Sequence, residues 1–144
     1  MIQNVGIRTI DEIQQEIIAE FKLLDEREDQ ITYIMEVGET LPPINEMYRT
    51  EHNTVQGCMS KVWIACQRNA DRLFFEGDSN TAITKGLIGL LVRILSGQTI
   101  ETIIQANLYF VKEIGMAQLI GSQRSSGFAS IVKHIKLVAL TQKS

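Results

Sequence analysis

This chain predicts an α+β fold in which one small antiparallel sheet packs against helices, and three observations carry the prediction. Ile10, Ile13, Ile17 and Phe21 recur at steps of three and four, the period of a helix buried on one side. Residues 59–67 read instead as a strand, with Val62, Ile64 and Cys66 on one face and Lys61, Trp63, Ala65 and Gln67 on the other, and Arg72–Gly77 reads as a return strand, so the two form a hairpin. A hairpin is marginal alone and needs a cover. The segment Thr81 to Leu95 supplies one, with Ile83, Leu87, Leu90, Leu91, Ile94 and Leu95 apolar.

The 144 residues suffice for one domain, 1–144, with a real core. An apolar fraction of 44% and a charged fraction of 22% are those of an ordinary globular chain. No apolar run reaches the roughly 18 residues of a membrane span. Met1-Ile2-Gln3-Asn4-Val5 lacks the basic-then-apolar pattern of a secretory signal, so the cytoplasm is the expected location. Residues 1–51 hold twelve acidic and four basic side chains, and residues 52–144 hold five acidic and ten basic. The basic residues are singly spaced, which argues against nucleic acid as a partner. The split reads as an acidic solvated helical face, or more sharply as a mildly positive surrounding for Cys58 that favours its thiolate.

In chain order, Thr9-Ile10-Asp11-Glu12 is a capping box opening a helix whose stripe runs to Leu24. Asp29 is a candidate cap for a second helix with Ile31, Ile34 and Met35 inward, and Gly38 is its candidate left-handed end. Leu41-Pro42-Pro43 stops regular structure. From there to Cys58 no periodicity persists beyond one turn at Asn45–Tyr48, and irregular connections of that length are more often functional than idle. The strand from Met59 to Gln67 puts Val62, Ile64 and Cys66 on one face, with Arg68–Asp71 as the turn. Asp78-Ser79-Asn80 offers three caps for the next helix, whose Gly86 and Gly89 imply close backbone approach and place it flat on the sheet. Thr99 caps a helix from Ile100 to about Ala106. Short turns follow at Asn107–Val111 and Met116–Ile120, then a glycine- and serine-rich loop, Gly121–Gly127. A last helix turns Phe128, Ile131, Val132, Ile135, Val138 and Ala139 inward.

Chemistry concentrates at Val55-Gln56-Gly57-Cys58-Met59-Ser60-Lys61-Val62-Trp63. Free cysteines are commonly small buried hydrophobes. Against that stand Gly57, which frees the backbone to turn, the loop position, and the polar Ser60. Cys58 is therefore read as a nucleophile acting as its thiolate, and mid-strand Cys66 as core. Eight residues along one extended segment keep the two from bridging. With His52 and His134 alone besides, zinc spacing is absent. No phosphate-loop pattern surrounds the glycines, and no residue spacing demands a Cys/His protease. Arg124, Lys61, Lys85 and His52 read most simply as solvated side chains.

Those residues, with Gly38-Glu39-Thr40-Leu41-Pro42, Gly77-Asp78-Ser79, Lys85-Gly86-Leu87-Ile88 and Arg124-Ser125-Ser126-Gly127, resemble the SufE family of sulfur-acceptor proteins over nearly the whole chain. The resemblance implies a two-layer α+β fold shared with IscU-type iron–sulfur scaffolds. It implies that Cys58 accepts sulfur from the persulfide of a SufS-like cysteine desulfurase, stimulating that enzyme. The sulfur then passes to a SufBCD-like iron–sulfur scaffold. On this reading the chain is an accessory protein rather than a free-standing enzyme, with no cofactor of its own and PLP in the desulfurase. Gly57, Met59 and Ser60 form the rim of the cysteine loop, and Arg124 corresponds to a loop arginine linked with docking or sulfur handling. Met59 stands where glutamine is usual and Asn80 where aspartate is common, departures that bear on partner fit and leave the thiol untouched. A hinged loop drawing freedom from Leu41–Gly57 would shelter the carried sulfur and then swing it out. Two alternatives are a docking activator that carries no sulfur and a cluster-building scaffold. The second needs about four ligands, mostly thiolates, where the chain has two cysteines.

Overall fold

The computed structural model describes residues 8–143, so Met1–Val5, read above for a signal, lie outside the described residues. Helix α1, Ile10–Lys22, opens on the expected capping box: Thr9 Oγ1 accepts from the Glu12 amide and Glu12 accepts from the Thr9 amide. It buries Ile10, Ile13, Ile17 and Phe21, while Leu24 falls beyond its end. Helix α2, Arg27–Thr40, starts before Asp29 and runs through Gly38. Gly38 is no helix end. A Cβ there would lie 2.8 Å from the Gly86 amide nitrogen, so its bare backbone is a contact surface. After a single 3-10 turn at Glu46–Tyr48 come strands β1, Val62–Asn69, and β2, Arg72–Ser79, paired antiparallel with Trp63 opposite Asp78.

The hairpin is shifted along the chain and its turn is tighter than the sequence suggests: β1 starts at Val62 and not at Met59, β2 runs on to Ser79, and Ala70-Asp71 alone turns the chain, with Ala70 at φ 58°. Pairing across strands extends regular structure over Arg68 and Asn69, whose polarity marks exposure and not a break. Each edge is covered over part of its length. Thr54 bridges Trp63 on one side, and Thr99 bridges Arg72 on the other. Cys66 lies half-buried and is not full core.

Helix α3, Ala82–Leu95, is the centre of the core: Leu87, Ile88, Leu90, Leu91, Ile94 and Leu95 are all buried, each contributing about 2 kcal/mol. Of the three caps expected for it, none serves. Thr81 occupies the cap position, Asn80 receives the Lys61 amide, and Asp78 is buried within β2. Ile88 meets β2 at Gly77, but Gly86 and Gly89 face α2 and not the sheet. A Cβ on Gly86 would sit 1.9 Å from the Ile34 carbonyl oxygen. The acids of α1 are also not all solvated. Arg93 of α3 donates to Glu16 at 3.0 Å and Glu20 at 2.7 Å, and Tyr33 of α2 donates to Glu20, so charge joins three helices.

Helices α4, Ile100–Gln105, α5, Phe110–Glu113, and α6, Met116–Ile120, form a short-stepped connection. Helix α7, Ser122–Gln142, absorbs the segment read as a glycine–serine loop. The small side chains of that segment do not break the helix. They leave room for another chain segment to lie against it. Among the described residues no helix is long and apolar enough to cross a membrane.

Candidate functional site

Cys58 sits on a loop much shorter than the irregular segment around it. The Val55 amide donates to the Val62 carbonyl at 2.9 Å, and the Ile64 amide to the Asn53 carbonyl at 2.9 Å. Residues 53–55 thus dock on the outer edge of β1, and Val55 is buried. The excursion that carries the thiol is residues 56–61. Its turn depends on Gly57, at φ 90°, where a Cβ would lie 2.5 Å from Ser130 Oγ. Ser60 Oγ lies 2.9 Å from Thr81 Oγ1 and 3.2 Å from Thr84 Oγ1, and the Lys61 amide donates to Asn80 Oδ1 at 3.0 Å. On the other flank Ser130 Oγ donates to the Gly57 carbonyl at 3.4 Å. Met59, at the outer rim, is 80% exposed.

The thiol is half-buried and donates to the Gly127 carbonyl at 3.4 Å. It stands in a cleft of about 710 Å³ between the cysteine loop, α3 and α7, with Leu87, Ile120, Phe128 and Ile131 forming the apolar wall. Burial pushes the Cys58 thiol above its ordinary range. That corrects the expectation of a positive surrounding that favours the thiolate: desolvation disfavours the charged form, and it sets the direction here. The charged side chain among the residues lining the cleft is Arg124. It lies exposed in the first turn of α7, not on a loop, and donates to the Ile120 carbonyl at 3.4 Å.

The structure therefore brings Cys58, Met59, Ser60 and Arg124 to one cleft and places Gly57 at the turn that holds the thiol there. Sequence reasoning missed Thr84, Phe128 and Ser130, and missed Gly127 as the thiol's acceptor. Ser126, Gly127 and Ser130 fall three and four residues apart on one face of α7, a stripe of small residues beside an apolar one. That is the signal of a helix face meeting backbone. Cys66 opens instead on a second cleft of about 310 Å³, shared with His52 and His134. Among the described residues no three His, Cys, Asp or Glu side chains gather as a metal site would require.

One further feature supports the loop from beneath. Asp78, 5% exposed at the end of β2, accepts from Arg49 Nη2 at 2.7 Å and from the Ser79 amide at 2.8 Å, with Lys85 Nζ 3.6 Å away. Burial alone would raise its carboxyl, but the Ser79 amide, Arg49 and Lys85 outweigh that and hold it below the usual range. Arg49 also lies over the Trp63 ring, 4.7 Å from its centroid.

Comparison with known proteins agrees on one family. The family described as SufE, Fe-S metabolism associated domain, matches residues 15–139. A SufE-like protein of Rhizobium meliloti is 37% identical over 126 residues, covering 84% of this chain and 90% of that one. One of Rhizobium etli is 36% identical over the same share of this chain and 85% of its own. The chloroplastic/mitochondrial SufE-like protein 1 of Arabidopsis thaliana is 32% identical over 88% of this chain, which spans 34% of that longer protein. The solution structure of a hypothetical protein from Thermus thermophilus shares the fold, with a TM-score of 0.75 at 16% identity over 90% of this chain and 94% of that one. With a two-stranded antiparallel sheet on helices and a family match across most of its length, this chain belongs to the SufE family, which is associated with Fe–S metabolism.

Proposed function

We propose that the protein is a sulfur carrier for iron–sulfur cluster assembly, loaded on Cys58 by a PLP-dependent cysteine desulfurase that it stimulates. The observation that carries this reading is the Cys58 thiol at the mouth of an apolar cleft, on a six-residue loop closed at its base. In the loading step the Cys58 thiolate attacks the outer sulfur of the desulfurase persulfide. A bond forms between Cys58 Sγ and that sulfur, the donor's S–S bond breaks, and the donor's inner sulfur leaves as a thiolate. Two cysteines exchange one sulfane sulfur, so no oxidant is needed. The raised thiol keeps Cys58 protonated and unreactive at rest. Docking draws the loop out, where the thiolate forms and Arg124 faces it. Delivery to an iron–sulfur scaffold is the same exchange in the opposite sense.

Intact-mass spectrometry after incubation with a cysteine desulfurase, PLP and cysteine tests the proposal. The native chain and Cys66→Ser gain one sulfur mass that thiol reductant removes, and Cys58→Ser gains none. Desulfurase turnover that rises equally with Cys58→Ser, with no adduct on any form, would leave a docking activator and remove Cys58 from the chemistry.

A further inference from the structure

We propose that Asp78 and Arg49 are positioning residues for Cys58: one buried carboxylate fixes both stems of the cysteine loop, so that residues 56–61 alone move when the thiol is delivered. The inference rests on the carrier reading above and adds to it the device that holds the moving part in register.

Arg49 belongs to the incoming stem and Trp63 to the outgoing one. The guanidinium lies on the indole, so the two stems are stacked together by side chains as well as bridged at Thr54 and Trp63. Asp78, opposite Trp63 in the sheet register, holds that guanidinium at 2.7 Å. The Ile44 amide points at the same carboxylate at 3.5 Å, which ties the segment farther upstream. Lys85 reaches it from α3, one residue after Thr84, whose hydroxyl meets Ser60 at the loop's far end.

Glu46 also pairs with Arg49 at 2.8 Å, but its side chain is 84% exposed. Solvent screens a pair that exposed, so the buried Asp78 is the firmer anchor for Arg49. A guanidinium that stacks on a ring and pairs with a carboxylate at once is also the cation least replaceable by lysine. The long irregular segment is therefore anchored over most of its length, and the freedom assigned to Leu41–Gly57 from sequence contracts to the loop tip.

The experiment uses full-length Arg49→Gln, Arg49→Lys and Asp78→Asn, each checked for folding by circular dichroism. Two rates are read: alkylation of Cys58 by iodoacetamide, resolved from Cys66 by peptide mass, and sulfur transfer from a persulfidated desulfurase over a range of carrier concentrations. Arg49→Gln should be alkylated faster than native. Its transfer rate at saturating carrier should fall about tenfold with the half-saturating concentration unchanged, because a misplaced thiol docks but reacts poorly. Arg49→Lys should fall between the two. Unchanged alkylation and saturating rate in folded Arg49→Gln would overturn the proposal. So would a loss confined to the half-saturating concentration, since a partly unfolded carrier is merely diluted. Should Asp78→Asn fail to fold, Arg49→Gln decides alone. If the native chain accepts no sulfur, the carrier reading falls, while the alkylation rates still judge the clamp.

Discussion

Burial acts on both thiols in the same direction, yet the two sit in different surroundings. Cys58 is drawn up by the cleft beside Gly127, and Cys66, half-buried on β1, is pushed up to about 11. A folded value above the unfolded one means that the neutral thiol is favoured by folding. The stability it lends is full below about pH 9 and is lost as pH rises through about 11. Denaturant unfolding across that window should show the native chain losing about 2 kcal/mol more than Cys66→Ala, a figure reduced for the thiol's partial exposure. An equal slope in both proteins would place the effect elsewhere. The place of Cys58 on a loop, apart from the core, was legible because Gly57 and Ser60 flank it in sequence. Its neighbours were not: Gly127, Phe128 and Ser130 lie far along the chain, and nothing local encodes which helix face the loop will meet. Asp78 was misread as a cap because caps and buried ion pairs use the same residue types, and only the register opposite Trp63 distinguishes them.

Helices α1 and α3 were readable from periodicity because each shows one apolar stripe to one core. Helix α2 was readable as a helix with Ile34 inward but not in its bounds, since its contact with α3 is made by absent side chains, and an absence at Gly38 reads as a helix end. The glycines make the crossing close, and that has a measurable cost when filled. Gly86→Ala would drive a methyl into the Ile34 carbonyl, a backbone atom that cannot rotate away. We expect Gly86→Ala to lose about 3 kcal/mol, the upper end for overpacking, with a melting temperature to match. The ordinary gain of alanine over glycine in a helix interior, about 1 kcal/mol, is too small to offset it. A stabilised Gly86→Ala would mean that the crossing is looser than described. The first turns of helix α7, read from sequence as a loop, differ for a related reason. Serine and glycine lower its intrinsic propensity, and packing against the cysteine loop and the core overrides that.

At the scale of the whole molecule, order is graded outward from α3. Its buried leucines and isoleucines are sealed by α2 on one side and the hairpin on the other, whereas residues 56–61 are held mainly by side-chain hydroxyls and single carbonyls. Hydrogen exchange should follow: α3 amides open only with global unfolding, and the amides of 56–61 exchange by local opening at far lower free energy. Protection of the loop equal to that of α3 would contradict a moving thiol. The uneven charge of the two halves was visible in composition, but its partial use within the fold, Glu16 and Glu20 against Arg93, needed the helices side by side. The closure of the loop by Val55 and Val62 also bears on affinity. Fixing a residue's backbone costs about 1–2 kcal/mol, so a partner that immobilises six residues meets about a third of the entropic penalty of one that must freeze all seventeen from Leu41 to Gly57. On the carrier proposal the protein has to be released as readily as it is captured, and a small ordering cost lets modest contact surfaces hold it briefly without demanding a large interface.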